Sequence, residues 1–392
     1  MSGGSPVGAA VTLEQLEQDP HPTLARLREH EPVSWLPALD GWLVTRHDLA
    51  LTVMRDAAAY TVEDPRFSTA RVVGPSMLSL DGDEHAVHRA PFAAPFRPLA
   101  VREWFAGAAR AEADRLVDAF EHAGRAELRR AYAGPLAASI MARALGLEQS
   151  EVGAMLRWYD AIVAAVTDVT AGREIPAAGA EAFGALKRRL EDAIRDRGPA
   201  DSLLAAAAAG EGLRTDQVVS NAAVLLFGGI ETTEGMIANA LLYLLENPEA
   251  LRTSRQDPGA LDAAIEESLR LEPAAAVIDR YATADAGLAH ARIAGGDLVR
   301  VSISAANRDP AVFADPDRFD PGRFGRGASR GHLAFAHGPH VCLGVHLARL
   351  EARSALDVIL RRLPTLALDP SRPSRIRGLV FRKPPTLHAV WE

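Results

Sequence analysis

The chain has 392 residues, 48% of them hydrophobic and 24% charged, with a formal net charge of -8. A chain of this length can bury a core large enough to enclose a ligand, and it has no basic excess to suggest nucleic acid. Its one cysteine, Cys342, excludes an internal disulfide framework and a multi-thiolate metal cluster and fits a reducing compartment.

The opening stretch "MSGGSPVGAAVTLEQLEQDP" lacks the basic start and apolar centre of a signal peptide, so a cytoplasmic protein is expected. "VTLEQLEQDP" and "HPTLARLREHEP" predict short amphipathic helices, then "VSWL" and "GWLVT" predict strands, and "HDLALTVMRD" another helix. Residues 60–80 mix Pro, Gly and Ser without a period and read as one long loop, a common place for a lid or binding segment.

Helical patterns then dominate, including "EAFGALKRRLEDAIRDRG" and a run from Arg214 to about Leu251. That run is long against a mean helix of about 11–12 residues. Glu231 and Glu234 interrupt it, which argues against a membrane span. After Glu272, strand-like pieces ("AVIDRYAT", "LVRVSIS") alternate with turns. A last helix starts near Cys342, and a strand-like tail follows. No repeat or linker appears, so the expectation is a single domain over 1–392, mainly α with a small β-rich region.

Cys342 stands at a loop-to-helix junction, where free backbone N–H groups and the helix dipole favour an anion. A thiolate there is a metal ligand or a nucleophile; the plainer reading of position alone is a buried, inert thiol. In "AAIEESLRLEP", Glu267 and Arg270 share a helix face and can pair. In "FGGIETT", Gly228 and Gly229 lie in tandem inside a helix at a cost of about 1 kcal/mol each. They mark either close helix packing or room for a ligand beside Glu231 and Thr232.

The stretch "FAHGPHVCLG" resembles the haem-binding loop of the cytochrome P-450 superfamily, with Ala336 where the family has its first glycine. The resemblance implies the P-450 fold, with haem b (iron protoporphyrin IX) between a long central helix and the cysteine-loop helix. Cys342 would be the axial thiolate, His340 would contact a propionate, Phe335 would pack beside the sulfur, and Gly338 and Gly344 would shape the loop. Glu267 and Arg270 match the Glu-x-x-Arg signature, joined by Arg323 of "DPDRFDPGRF", with Gly322 in place of the usual preceding Glu. "FGGIETT" matches the oxygen-activation groove, where Thr232 would hydrogen-bond bound dioxygen and Glu231 would help deliver protons.

In "HAVHRAPFAAPFRP", His85 and Arg89 would reach propionates, as would Arg280. Pro91 predicts a helix that begins or kinks there. The resemblance also implies a pocket from Val72, Val73, Met77, Leu78, Val224, Phe227, Gly228, Ala276, Val277 and Ile278, closed by Val380 and Phe381. These are mostly apolar and equally suit plain core.

The implied activity is insertion of one oxygen atom from O2 into a small hydrophobic substrate, a secondary-metabolite intermediate, in a monomer without membrane or nucleic-acid partner. Electrons would come from a ferredoxin and ferredoxin reductase, for which Arg349 and Arg353 are candidate exposed docking residues. Peroxide-driven chemistry, oxidative coupling and a non-catalytic haem module are the alternatives within the fold. A zinc site on His337, His340, Cys342 and His346 is the alternative outside it.

Overall fold

The computed structural model describes residues 7–170, 173–196, 202–210, 212–325 and 331–392. The first six residues of the opening stretch, and the last two of "EAFGALKRRLEDAIRDRG", lie outside that set. The chain sorts into two compact units. One holds the residues up to Thr61, Gly235–Cys342 and Thr365–Glu392; the other holds Val62–Glu234 and Leu343–Pro364.

The first unit contains a five-stranded sheet in the order Val33–Leu36, Gly41–Val44, Leu298–Ser302, Val277–Ala282, Tyr60–Thr61. Only the pair of Gly41–Val44 with Leu298–Ser302 is parallel. The first two strands form a hairpin whose connection ends on Asp40 at φ 46°, a left-handed position that Asp tolerates better than most residues. Val33, Val44, Tyr60, Val299 and Val301 of this sheet lie in an apolar cluster with Leu288 and Ile293 of the two-stranded pair Ala286–Leu288 and Ala291–Ile293. The strand Tyr60–Thr61 is two residues long and carries too little pattern to predict.

In the second unit the sequence is helical nearly throughout. Residues 60–80 are not one loop: Ser68–Val73 is a helix that buries Thr69, Val72 and Val73 and stops at Gly74, φ 86°. The helix does not begin at Pro91: it runs Gly82–Ala93 and includes Pro91 in its last turn. Pro91 removes one i→i−4 bond from this helix, while Asp83 and Glu84 favour its N-terminal end through the helix dipole. The helix Pro98–Asp118 packs along Val345–Arg362, with Arg110–Asp357 (2.9 Å) and Arg362–Asp118 (2.7 Å) along that pairing.

The long helix is Thr215–Glu246, 32 residues and about 48 Å at 1.5 Å per residue. It stops short of Leu251 because Pro248 restricts Asn247 and begins a new helix, Pro248–Gln256. No helix among the described residues is long and apolar enough to cross a membrane.

Candidate active site

Cys342 lies three residues before the helix Val345–Arg362, at the end of a loop that closes on itself. The Cys342 N–H donates to the Phe335 carbonyl at 2.9 Å, and Ala336 N–H to Leu333 O at 2.9 Å. Between them the backbone takes two left-handed positions, Ala336 at φ 57° and Gly338 at φ 77°. Gly338 is required twice over: by its φ, and because a Cβ there would overlap the Met54 carbonyl oxygen. His337 caps the short turn Gly338–His340 by accepting from the Gly338 N–H at 2.8 Å. Arg55 also stands 3.4 Å from its ring. Burial, then the charge of Arg55, pushes His337 below its ordinary value, which suits an acceptor. The His337 that the family pattern leaves without a role is thus a capping residue.

Cys342 is exposed. A free cysteine is among the most often buried side chains, so an exposed one on a loop braced by its own hydrogen bonds has a donor set suited to a metal-bearing cofactor rather than to packing. Among the described residues no three His, Cys, Asp or Glu side chains converge to hold a metal ion. A single thiolate fits haem iron, whose other ligands come from the macrocycle.

Glu267 and Arg270 are both fully buried on the helix Pro258–Leu271 and pair through two bonds of 2.7 and 2.8 Å. The remaining Arg270 donors reach the carbonyls of Asn307, Pro316 and Arg318, so all five guanidinium N–H groups are used. Glu267 also accepts from Arg323 at 3.2 Å and from the Asp320 N–H at 2.8 Å. Gly322, where the family often has Glu, leaves this network complete. Arg280 is buried on its strand and donates to the Asp279 carbonyl at 2.8 Å, while Asp279 pairs with Arg300 at 2.6 Å.

In the other unit, His85 is buried and Arg89, one turn on, is partly exposed. The tandem glycines of the long helix divide the two sequence readings between them. A Cβ on Gly229 would press on Met141 Sδ at 2.5 Å, which is helix packing. A Cβ on Gly228 would meet none of the described residues within 4 Å, which is open space. The Thr232 hydroxyl donates to the Gly228 carbonyl at 2.6 Å, so its proton is committed and its lone pairs are left to accept. Glu231, 2% exposed, turns to the hydroxyl of Tyr159.

The pocket candidates fall into two local groups. Val72, Val73 and Met77 are buried near the first half of the long helix, where the Met77 N–H donates to Asn221 Oδ1 at 2.7 Å; Val224 and Phe227 are buried on the same helix and Leu78 is partly exposed. Ala276, Val277 and Ile278 run beside the tail, with Ala276 N–H bonded to Val380 O at 2.8 Å and Ala275 bridged to Phe381. Arg349 and Arg353 are only partly exposed, because both lie on a helix whose inner face is packed.

Sequence reasoning missed Tyr159, which reads as a core aromatic, and Arg129, whose Nε donates to Glu234 at 2.9 Å. It also missed Glu272, held by His21 (2.8 Å) and Arg382 (2.6 Å) from segments far apart in the chain. The spacing Glu231–Glu234, one turn of helix, was the one available signal.

One chain thus combines a mainly helical fold with a small sheet, a buried Glu-x-x-Arg pair and an exposed thiol on a loop closed by its own N–H. The family model for cytochrome P450 matches residues 181–390. The chain is 36% identical to "Cytochrome P450 monooxygenase PikC" of Streptomyces venezuelae over 375 residues, 90% of this chain and 86% of that one. It is 33% identical to "20-oxo-5-O-mycaminosyltylactone 23-monooxygenase" of Streptomyces fradiae, over 94% of this chain and 87% of that one. The solved structure of CalO2 superposes with a TM-score of 0.88 at 28% identity, covering 98% and 99% of the two chains. The chain belongs to the cytochrome P450 family and is a haem-containing monooxygenase of that family.

Proposed function

We propose that this enzyme inserts one oxygen atom from O2 into a largely apolar small molecule, a secondary-metabolite intermediate, with haem b on Cys342 and electrons from a ferredoxin and its reductase. The observation that carries the reading is the exposed Cys342 thiol on a loop closed by its own N–H. Bound there, the haem supplies dioxygen activation and oxidising power. Cys342 supplies the thiolate, and Glu267, Arg270 and Arg323 hold the segment around Arg318–Asp320 in place. His340, His85, Arg89 and Arg280 are assigned to the propionates, as cations suited to carboxylates.

On the long helix, Glu231 supplies protons and Thr232 accepts them in relay, a division of labour that needs an ionisable group and a hydroxyl near each other. The presence of both supports dioxygen over a peroxide-only chemistry. The apolar lining by Val72, Val73, Val224 and Phe227 supports a hydrophobic substrate. The name of the Streptomyces fradiae relative, a mycaminosyltylactone monooxygenase, supports a large biosynthetic intermediate. The enzyme is assigned to the cytoplasm as a monomer.

The test is the reduced CO difference spectrum. The wild type is expected to give the red-shifted thiolate-type Soret band, and Cys342→Ser to lose it; a wild type without that band overturns the assignment. Spectral titration with macrolide, fatty-acyl and carrier-bound candidates then identifies the substrate class by the shift each produces.

A further inference from the structure

Tyr159 sits on the helix Val152–Thr170 and is 2% exposed. Its hydroxyl donates to Glu231 Oε2 and lies 3.3 Å from Glu234 Oε2. Both glutamates are buried, and their spacing of three residues puts them on one face of the long helix. Arg129, in the turn Arg129–Ala133, donates to Glu234 Oε1 at 2.9 Å. Gly134 leaves the room that Glu234 occupies, since a Cβ there would lie 3.0 Å from Oε1. Arg130 adds positive charge toward Glu234 while bonding Asp160 at 2.9 Å. One hydroxyl thus faces two buried carboxyls, with arginines on the Glu234 side.

Donor counting gives this cluster a direction. A phenol carries one proton, while each carboxylate oxygen can only accept. Burial, and then the two carboxyls, push the Tyr159 hydroxyl far above its ordinary value, so it stays protonated and serves as a donor. It cannot donate to Glu231 and Glu234 at once. With its proton given to Glu231, the Tyr159 oxygen still has a lone pair that can accept a proton passed to it from the Glu234 side, 3.3 Å away.

We propose that Glu234 and Tyr159 are further proton-relay residues, passing a proton from Glu234 through the Tyr159 hydroxyl to Glu231. In the transfer the Glu234 O–H bond breaks as the Tyr159 oxygen gains that proton. The original Tyr159 O–H bond breaks as the Glu231 carboxylate gains its proton. Tyr159 ends unchanged, the negative charge moves to Glu234 beside Arg129, and a proton from water restores Glu234. The inference rests on the reading that Glu231 delivers protons.

Two measurements on the haem-loaded enzyme test it. In the infrared spectrum, the carboxyl bands that shift between H2O and D2O are expected to change in Glu234→Gln and to be displaced in Tyr159→Phe. The second measurement is dioxygen consumption driven by a plant-type ferredoxin and its reductase, without organic substrate, in H2O and D2O. Tyr159→Phe and Glu234→Gln are each expected to slow it by about tenfold and to change the solvent isotope effect, as loss of a proton-transfer group does. Glu234→Asp, which keeps a carboxyl, recovers part of the rate. The CO spectrum confirms that each variant keeps its thiolate-bound haem. If Glu231→Gln alone alters rate and isotope effect while the Tyr159 and Glu234 variants match wild type, the relay is overturned and the role of Glu231 stands. If Glu231→Gln also matches wild type, the underlying reading falls with it.

Discussion

Gly338 lies against the main chain of Met54 so closely that no side chain fits between them. The contact fixes the cysteine loop on the end of the helix His47–Arg55, while φ 77° at the same residue already excludes most side chains. Gly338→Ala is therefore expected to combine overlap with left-handed strain and to displace the loop. Haem content per chain, read from the Soret absorbance of purified protein, should fall sharply; full haem occupancy would show the contact to be dispensable.

Ala336 carries the opposite prediction. It occupies the left-handed region at φ 57°, where a Cβ crowds the following carbonyl at about 1–2 kcal/mol per residue. Glycine removes that strain but gives back some unfolded-chain entropy, for a net gain of about 1 kcal/mol. Ala336→Gly should raise the thermal midpoint by roughly 1–2 °C, scaling the usual shift to a chain of this size. A lower midpoint would mean that Ala336 makes contacts worth more than its strain.

The loop shows what was legible in the sequence and what was not. Cys342, Gly338 and the Glu267–Arg270 pair could be picked out because each is bound to its partners by short spacing or a motif. The strain at Ala336 was not legible, since φ depends on how the loop packs on Met54 and Arg55, far earlier in the chain. The long helix and four of the five sheet strands followed from periodicity, whereas the Ser68–Val73 helix hid among turn-forming residues. Tyr159 was invisible for a different reason: an aromatic on an apolar helix face looks the same whether its hydroxyl meets a carboxyl or not.

The Glu267–Arg270 pair should be far more sensitive to losing one partner than to losing both. Removing one member of a buried pair strands a charge at about 3–5 kcal/mol, and here Arg270 also ties three carbonyls. Glu267→Ala and Arg270→Ala are each expected to give little folded protein. Combining Glu267→Leu with Arg270→Met in one chain should recover part of the urea midpoint without restoring the segment at Arg318. Haem retention near wild type in either single variant would show that haem binding does not depend on the pair.

Glu272 makes the acid limb of stability predictable. Burial alone would raise its carboxyl, but the hydrogen bond from His21 and the charges of His21, Arg382 and Arg308 outweigh it and bring the group down to about 2. Its ordinary value is 4.5, so the folded state binds the proton less tightly than the unfolded chain does. The sign follows: the contribution is complete above about 4.5 and disappears as pH falls toward 2. Its size is about 3 kcal/mol, at 1.36 kcal/mol per unit. Glu272→Gln should therefore be well below wild type in urea midpoint at about pH 7, with the gap narrowing from about pH 5 to about pH 3. Part of the gap will remain, because Arg382, 3% exposed, stays buried without its carboxylate. Two curves that stay parallel through this window would place the acid sensitivity in other groups.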